Sequence, residues 1–276
     1  LFHLYGELLA KEDYATPGFR LALGLKDIEL ILATGAAAQM PLPATWASVP
    51  PQWAGTASAR MGRLYGEAGL REYLRCYAAQ ITQMDACIGR ILDALDALGL
   101  AERTLVVFTS DHGNLLGQHG MMDKTVGAFY DDLMRVPLLL RLPGAIPAGK
   151  VSDALVGSVD LPSTLLDYAG AEPLPKAHGR SLRGVVDGRD AGRDAVFGER
   201  AEPQTPAAAR MVRTRRWKLS LQPRGAHELY DLEADPDESR NLYADASRAD
   251  VVRGLREQLR AHMAEVGDQA DFSAFA

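Results

Sequence analysis

The feature that most constrains this chain is the run Thr104-Leu105-Val106-Val107-Phe108-Thr109, set just behind a long helical repeat. It is of strand length, β-branched and apolar on both faces, the pattern of a strand buried in a parallel sheet. Before it, Leu74, Tyr77, Ile81, Met84, Ile88, Ile91, Leu95 and Leu98 recur at steps of three and four, which predicts one helix over residues 72–98. Gly99 stands where such a helix would exit through a left-handed residue. A second apolar run, 137–142, ends at Pro143-Gly144, and 160–169 reads as a helix closed by Gly170. Helix, buried strand, loop, buried strand, helix is the order of an α/β layered domain.

Beyond about residue 190 the pattern changes. Short strands at 195–199, 210–213, 217–221 and 228–232, then an amphipathic helix at 248–266, predict a small antiparallel sheet with one helix against it. The expected division is therefore 1–190 and 191–276. Upstream, Pro41, Pro43, Pro50 and Pro51 mark a surface loop over 39–56, pinned by Trp46 and Trp53. Residues 1–38 cannot be placed from their pattern; 27–33 suits helix or strand. With no initiator Met and no signal-like leader, the chain is expected to begin in mid-protein.

Composition narrows the function classes. A net charge of -6 over 276 residues argues against nucleic acid or an anionic membrane as the main partner. No apolar run approaches the ~18–20 residues of a membrane span. Cys76 and Cys87 fall eleven residues apart on the predicted helix, roughly 16 Å at ~1.5 Å per residue, too far for a disulfide.

The chemistry sits in Ser110-Asp111-His112-Gly113-Asn114, which leaves the end of the predicted strand, and in the glycine-rich loop that runs on to Lys124. The carboxyl ends of strands in open α/β sheets are where ligands bind. Asp111 and His112 there suit either a capped turn or half of a metal site, a carboxylate and a neutral imidazole each offering a lone pair. Lys124, thirteen residues past Asp111, could reach back and hold an anion. His119 suits either a bond to loop backbone or a touch on substrate, while His178 reads as a loop residue. Asp131-Asp132 reads as solvated or capping, and Arg213, Arg215, Arg216 and Lys218 as a solvated strand face or, less simply, an anion-binding one. Asp231, Glu233, Asp235 and Asp237 alternate like a calcium loop, but Pro236 and Leu242 stand where such a loop needs Gly and Glu.

Taken in order, several motifs resemble the sulfatase family of the alkaline phosphatase superfamily. They are Met84-Asp85 with Ile88-Gly89-Arg90-Ile91-Leu92, Thr104 to Gly113, and Leu116-Gly117-Gln118-His119-Gly120 with Lys124. Arg135-Val136-Pro137-Leu138, Val159-Asp160-Leu161-Pro162, Gly179-Arg180-Ser181-Leu182, Trp217-Lys218-Leu219 and Glu228-Leu229-Tyr230-Asp231-Leu232 follow, before Asn241-Leu242. The resemblance covers about residues 70–245. It implies an alkaline-phosphatase-like α/β fold, a mixed sheet flanked by helices with a small C-terminal antiparallel sheet. It also implies hydrolysis of a small-molecule or saccharide sulfate ester, or phosphodiester or phosphonate hydrolysis by a relative of the same superfamily. Asp111 and His112 would be ligands of a divalent cation, usually calcium, and Lys124 would contact sulfate oxygens. The family's nucleophile is a formylglycine made in a Cys/Ser-x-Pro/Ala-x-Arg motif. Neither cysteine and no serine here fits that motif, so the formylglycine is expected upstream and the isolated chain is expected to be inactive.

Overall fold

The computed structural model describes residues 42–124, 127–202, 205–222 and 226–270, with the side chains of 201–202 and 205–208 left aside. The unplaced segment 1–38 lies outside the described residues. In chain order the elements are α1 (Ala57–Ala97), β1 (Val106–Thr109), β2 (Leu115–Leu116), β3 (Met122–Asp123), α2 (Asp131–Met134), β4 (Leu138–Arg141), α3 (Asp160–Ala169), α4 (Arg183–Asp187), β5 (Ala195–Glu202), β6 (Thr205–Thr214), β7 (Trp217–Leu221), β8 (Glu228–Asp231) and α5 (Ala249–Val266). They fall into two compact units, Leu1–Thr104 with Leu115–Asp123, and Leu105–Asn114 with Lys124–Ala276.

In the first unit the described part of the proline-rich segment, from residue 42, is held as expected. Trp53 is buried, and Trp46 packs on a cluster of Leu70, Leu74 and Met122. α1 begins well before residue 72, where Thr56 caps it by accepting the Ala59 N–H at 3.2 Å. Its first turns carry no apolar stripe, so periodicity could not find them. They are fixed by close approach instead: a Cβ on Gly62 would overlap the Gly120 carbonyl. Gly66, at φ 60 and ψ -172, breaks the helix in a region open to glycine alone. The predicted stripe is buried at Leu74, whereas Ile81, Met84, Ile91 and Leu98 are exposed. The paired β2 and β3 lie against α1, where the Ser58 hydroxyl donates to the Met122 carbonyl.

In the second unit β1 pairs with β4, from Val106↔Arg141 to Thr109↔Leu138, and the pairing is antiparallel. This corrects the expected pair of buried parallel strands: β1 is half-buried and Leu139 on β4 is exposed. Apolar residues on both faces tell how a strand can be covered, not which way its partner runs. The buried Asp160 at the start of α3 ties three segments together. It accepts the Gly157 and Arg180 N–H groups at 2.9 Å each and is paired with Arg193.

The C-terminal sheet is the expected antiparallel one, in the order β5-β6-β7-β8. Its alternation separates two faces. Val212, Leu219, Leu221 and Leu229 form one face and pack with Leu255, Leu259 and Met263 of α5. The opposite face carries Met211, Arg213, Lys218, Ser220, Glu228 and Tyr230, and residues 127–134 bond to it.

Candidate active site

Thr109 ends β1, and the next three residues form a tight polar turn. The Asp111 carboxylate accepts the His112 N–H at 2.9 Å, and the Ser110 hydroxyl donates to the His112 carbonyl at 2.9 Å. His112 Nδ1 lies 2.7 Å from the Gly113 carbonyl oxygen. A carbonyl only accepts, so in the neutral ring Nδ1 carries the proton and Nε2 presents a lone pair. That nitrogen lies 3.5 Å from Asp111 Oδ2. Two donors sharing a cation at ~2.0–2.5 Å each can sit about that far apart. Lys124 Nζ is 3.3 Å from the same Nε2 and donates to it. Asp111, His112 and Lys124 thus meet at one exposed place.

The electrostatics agree. The His112 N–H on its carboxylate, and then the electrostatic pull of the neighbouring imidazole ring, hold Asp111 below the ordinary carboxyl value. The donor set suits a divalent cation as two of its ligands; among the described residues no third His, Cys, Asp or Glu completes a cluster with them. Further ligands of a bound cation would have to come from elsewhere.

Gly113 shows why the turn stays put. Its N–H donates to the Leu133 carbonyl at 2.8 Å, and a Cβ there would run into the Asp132 carbonyl oxygen. Glycine is needed for the approach of α2, not only for a flexible backbone.

His119 belongs to the first unit. It is 2% exposed, has a left-handed φ of 54, and its backbone N–H donates to Thr45 Oγ1 at 2.9 Å. Cys76 and Cys87 are free thiols.

Two groups of residues depart from their sequence reading. Asp131 is neither solvated nor capping. Arg213 grips it bidentately at 2.9 and 3.1 Å and Lys218 lies 2.5 Å away, while Glu238 Oε1 lies 2.7 Å from Lys218. Burial works against its ionisation, but Arg213 and Lys218 outweigh it and leave Asp131 below its ordinary value. The basic cluster is a solvated face only in part: Arg215 and Arg216 are exposed, Arg216 pairing with Asp231 at 2.8 Å, whereas Lys218 is buried and Arg213 is turned onto Asp131. One signal could have found Lys218: a lone cation at an alternating position within the apolar strand Trp217–Leu221.

The sulfatase family model matches residues 34–171, and the model of the C-terminal part of N-sulphoglucosamine sulphohydrolase matches 117–265. This chain belongs to the sulfatase family. An N-acetylglucosamine-6-O-sulfatase of Bacteroides thetaiotaomicron is 34% identical over 213 residues, covering 72% of this sulfatase chain and 38% of the relative. Among solved structures, a protein in complex with its substrate D-glucosamine-2-N,6-O-disulfate is 32% identical, with TM-score 0.67 over 76% of this chain and 45% of that one. A phosphonate monoester hydrolase of Agrobacterium radiobacter is 30% identical, with TM-score 0.68 over 75% and 44%. The fold is therefore the α/β fold of the sulfatases within the alkaline phosphatase superfamily. The sulfatase chain spans about two fifths of the length of the curated relatives it matches.

Proposed function

We propose that this chain is the metal- and anion-binding C-terminal portion of a sulfuric ester hydrolase. The observation that carries the reading is the meeting of Asp111, His112 and Lys124 at the end of β1 in a chain of this family. Asp111 Oδ2 and His112 Nε2 are two ligands of a divalent cation, calcium in the first instance. A cation held there would neutralise charge on sulfate oxygens and favour the ionised nucleophile. Lys124 brings an ammonium from an exposed loop. With the Nε2 lone pair given to a cation, its protons turn to sulfate oxygens. The buried His119, whose N–H bonds to Thr45, is read as a loop-structuring residue rather than a substrate contact.

The nucleophile is a formylglycine supplied from outside these 276 residues, which hold no motif for it. The substrate is a small-molecule or saccharide sulfate ester, the saccharide favoured by the glucosamine-linked matches. Residues 191–276 act as a subdomain that supports the α/β part. The likeness to a phosphonate monoester hydrolase favours a second reading, phosphonate or phosphodiester hydrolysis at the same site.

Calcium titrated into the chain by calorimetry tests the ligand assignment. Binding is expected for the unmodified chain and its loss in Asp111→Ala; equal binding by both would refute the assignment. Turnover of 4-nitrophenyl sulfate by the chain alone would refute an external nucleophile. Faster hydrolysis of a phosphonate monoester than of any sulfate, by a protein carrying this chain, would favour the second reading.

A further inference from the structure

The β5–β8 sheet has one face packed under α5 and another that bonds, group by group, to residues 127–134. Gln222 Nε2 donates to the Gly127 carbonyl at 2.6 Å, and Lys218 Nζ to the Phe129 carbonyl at 2.9 Å. The Tyr130 hydroxyl donates to Glu228 Oε1 at 3.1 Å, the same oxygen that takes the Tyr230 hydroxyl at 3.1 Å. The strongest attachment falls on the first residue of α2. There Glu238 Oε2 accepts the Asp131 N–H at 2.5 Å, and Lys218 bridges the Asp131 and Glu238 carboxylates at 2.5 and 2.7 Å. Lys218 is 1% exposed and Glu238 3%.

α2 is four residues long and has no side-chain cap. One turn of helix is not stable by itself, so its place is set by what holds it. Interior charges are desolvated at a cost that apolar packing does not carry, and what they provide in return is direction. The last link is the Leu133 carbonyl on the Gly113 N–H at 2.8 Å, with Gly113 pressed against the Asp132 carbonyl.

We propose that Lys218 and Glu238, by clamping Asp131, are positioning residues that fix the Asp111-His112-Gly113 turn through α2. Their importance for catalysis rests on the proposed role of that turn; their control of its position does not. A carbonyl shifted by a fraction of an ångström would move Gly113, and His112 with it, since no room remains between them.

The test uses the full chain, with Gly113 amide exchange followed by NMR and calcium affinity by calorimetry. Lys218→Met and Glu238→Leu are compared with Asp268→Asn. Asp268 holds Arg210 by a bidentate pair in the same unit and has no bond to α2. Gly113 exchange is expected to quicken about tenfold or more in the first two and to stay unchanged in Asp268→Asn, with calcium affinity falling about tenfold alongside. Gly113 protection unchanged in Lys218→Met, or lost equally in Asp268→Asn, would overturn the proposal. If Lys218→Met fails to fold, Glu238→Gln carries the same comparison, because it keeps the shape and leaves the Arg213 pair with Asp131 in place. An unmodified chain that binds no calcium would refute the metal reading, while the Gly113 measurement would still decide the coupling.

Discussion

Gly113 and Glu238 are the residues at which this chain's site is most exposed to change. Gly113→Ala forces a methyl group into the Asp132 carbonyl. The expected cost is about 2 kcal/mol or more, read as a lower urea midpoint; an unchanged midpoint would mean that α2 can back away freely. Glu238 gives a pH effect with a definite sign. Burial, only partly offset by Lys218, raises its pKa from 4.5 to about 7. Between those values the folded chain binds more protons than the unfolded one, so this group's contribution to stability falls as pH rises through that window. Asp131 has the opposite sign: its lowered pKa stabilises above the ordinary value of 3.8 and is lost as pH falls below it. Glu238→Gln mimics the protonated form. Its stability relative to the parent is expected to grow between pH 4.5 and 7 in denaturant titrations. A difference independent of pH would count against the shift. Apart from the lone cation at Lys218 within an apolar strand, little of this could be seen from residue types. Asp131, Lys218 and Glu238 are far apart in the chain and look like surface charges, and only folding removes their water.

At the scale of elements, legibility followed the range of the cause. The strands β7 and β8 and the helices α3 and α5 lie where periodicity, and for α3 its closing Gly170, put them, because those signals act within one or two turns. α1 was half legible. Its later part has an apolar repeat, whereas its start depends on Thr56 and on the contact of Gly62 with Gly120. The break at Gly66 has no sequence signal beyond the glycine itself. Gly66→Ala is expected to destabilise the chain by ~1–3 kcal/mol, because φ 60 with ψ -172 is closed to alanine. Retained stability with a straightened helix, seen as altered local amide exchange, would show instead that the break is dispensable. The direction of β4 against β1 was not legible. Both runs are short and uniformly apolar, and such runs pair equally well either way.

At the scale of the whole molecule, the described residues hold apolar cores and buried ion pairs away from the Asp111-His112 turn. The β5–β8 sheet under α5 and the Leu70, Leu74 and Met122 cluster are complete among the described residues. Chelator is therefore expected to leave the melting temperature unchanged. With a Kd of ~1 mM, 10 mM calcium would add about 1.4 kcal/mol at most. A chain that unfolds in chelator would show that the metal is structural.

The sequence by itself determined the family, the α/β class, the small C-terminal sheet and the residues Asp111, His112 and Lys124 as candidates, since these are written in short motifs and local periodicity. Only the tertiary structure decided that β1 and β4 run antiparallel, that Lys218 is interior, and that Gly113 is wedged against α2. Those outcomes depend on which distant segments share a space, and burial alone turns a solvated charge into a directional clamp.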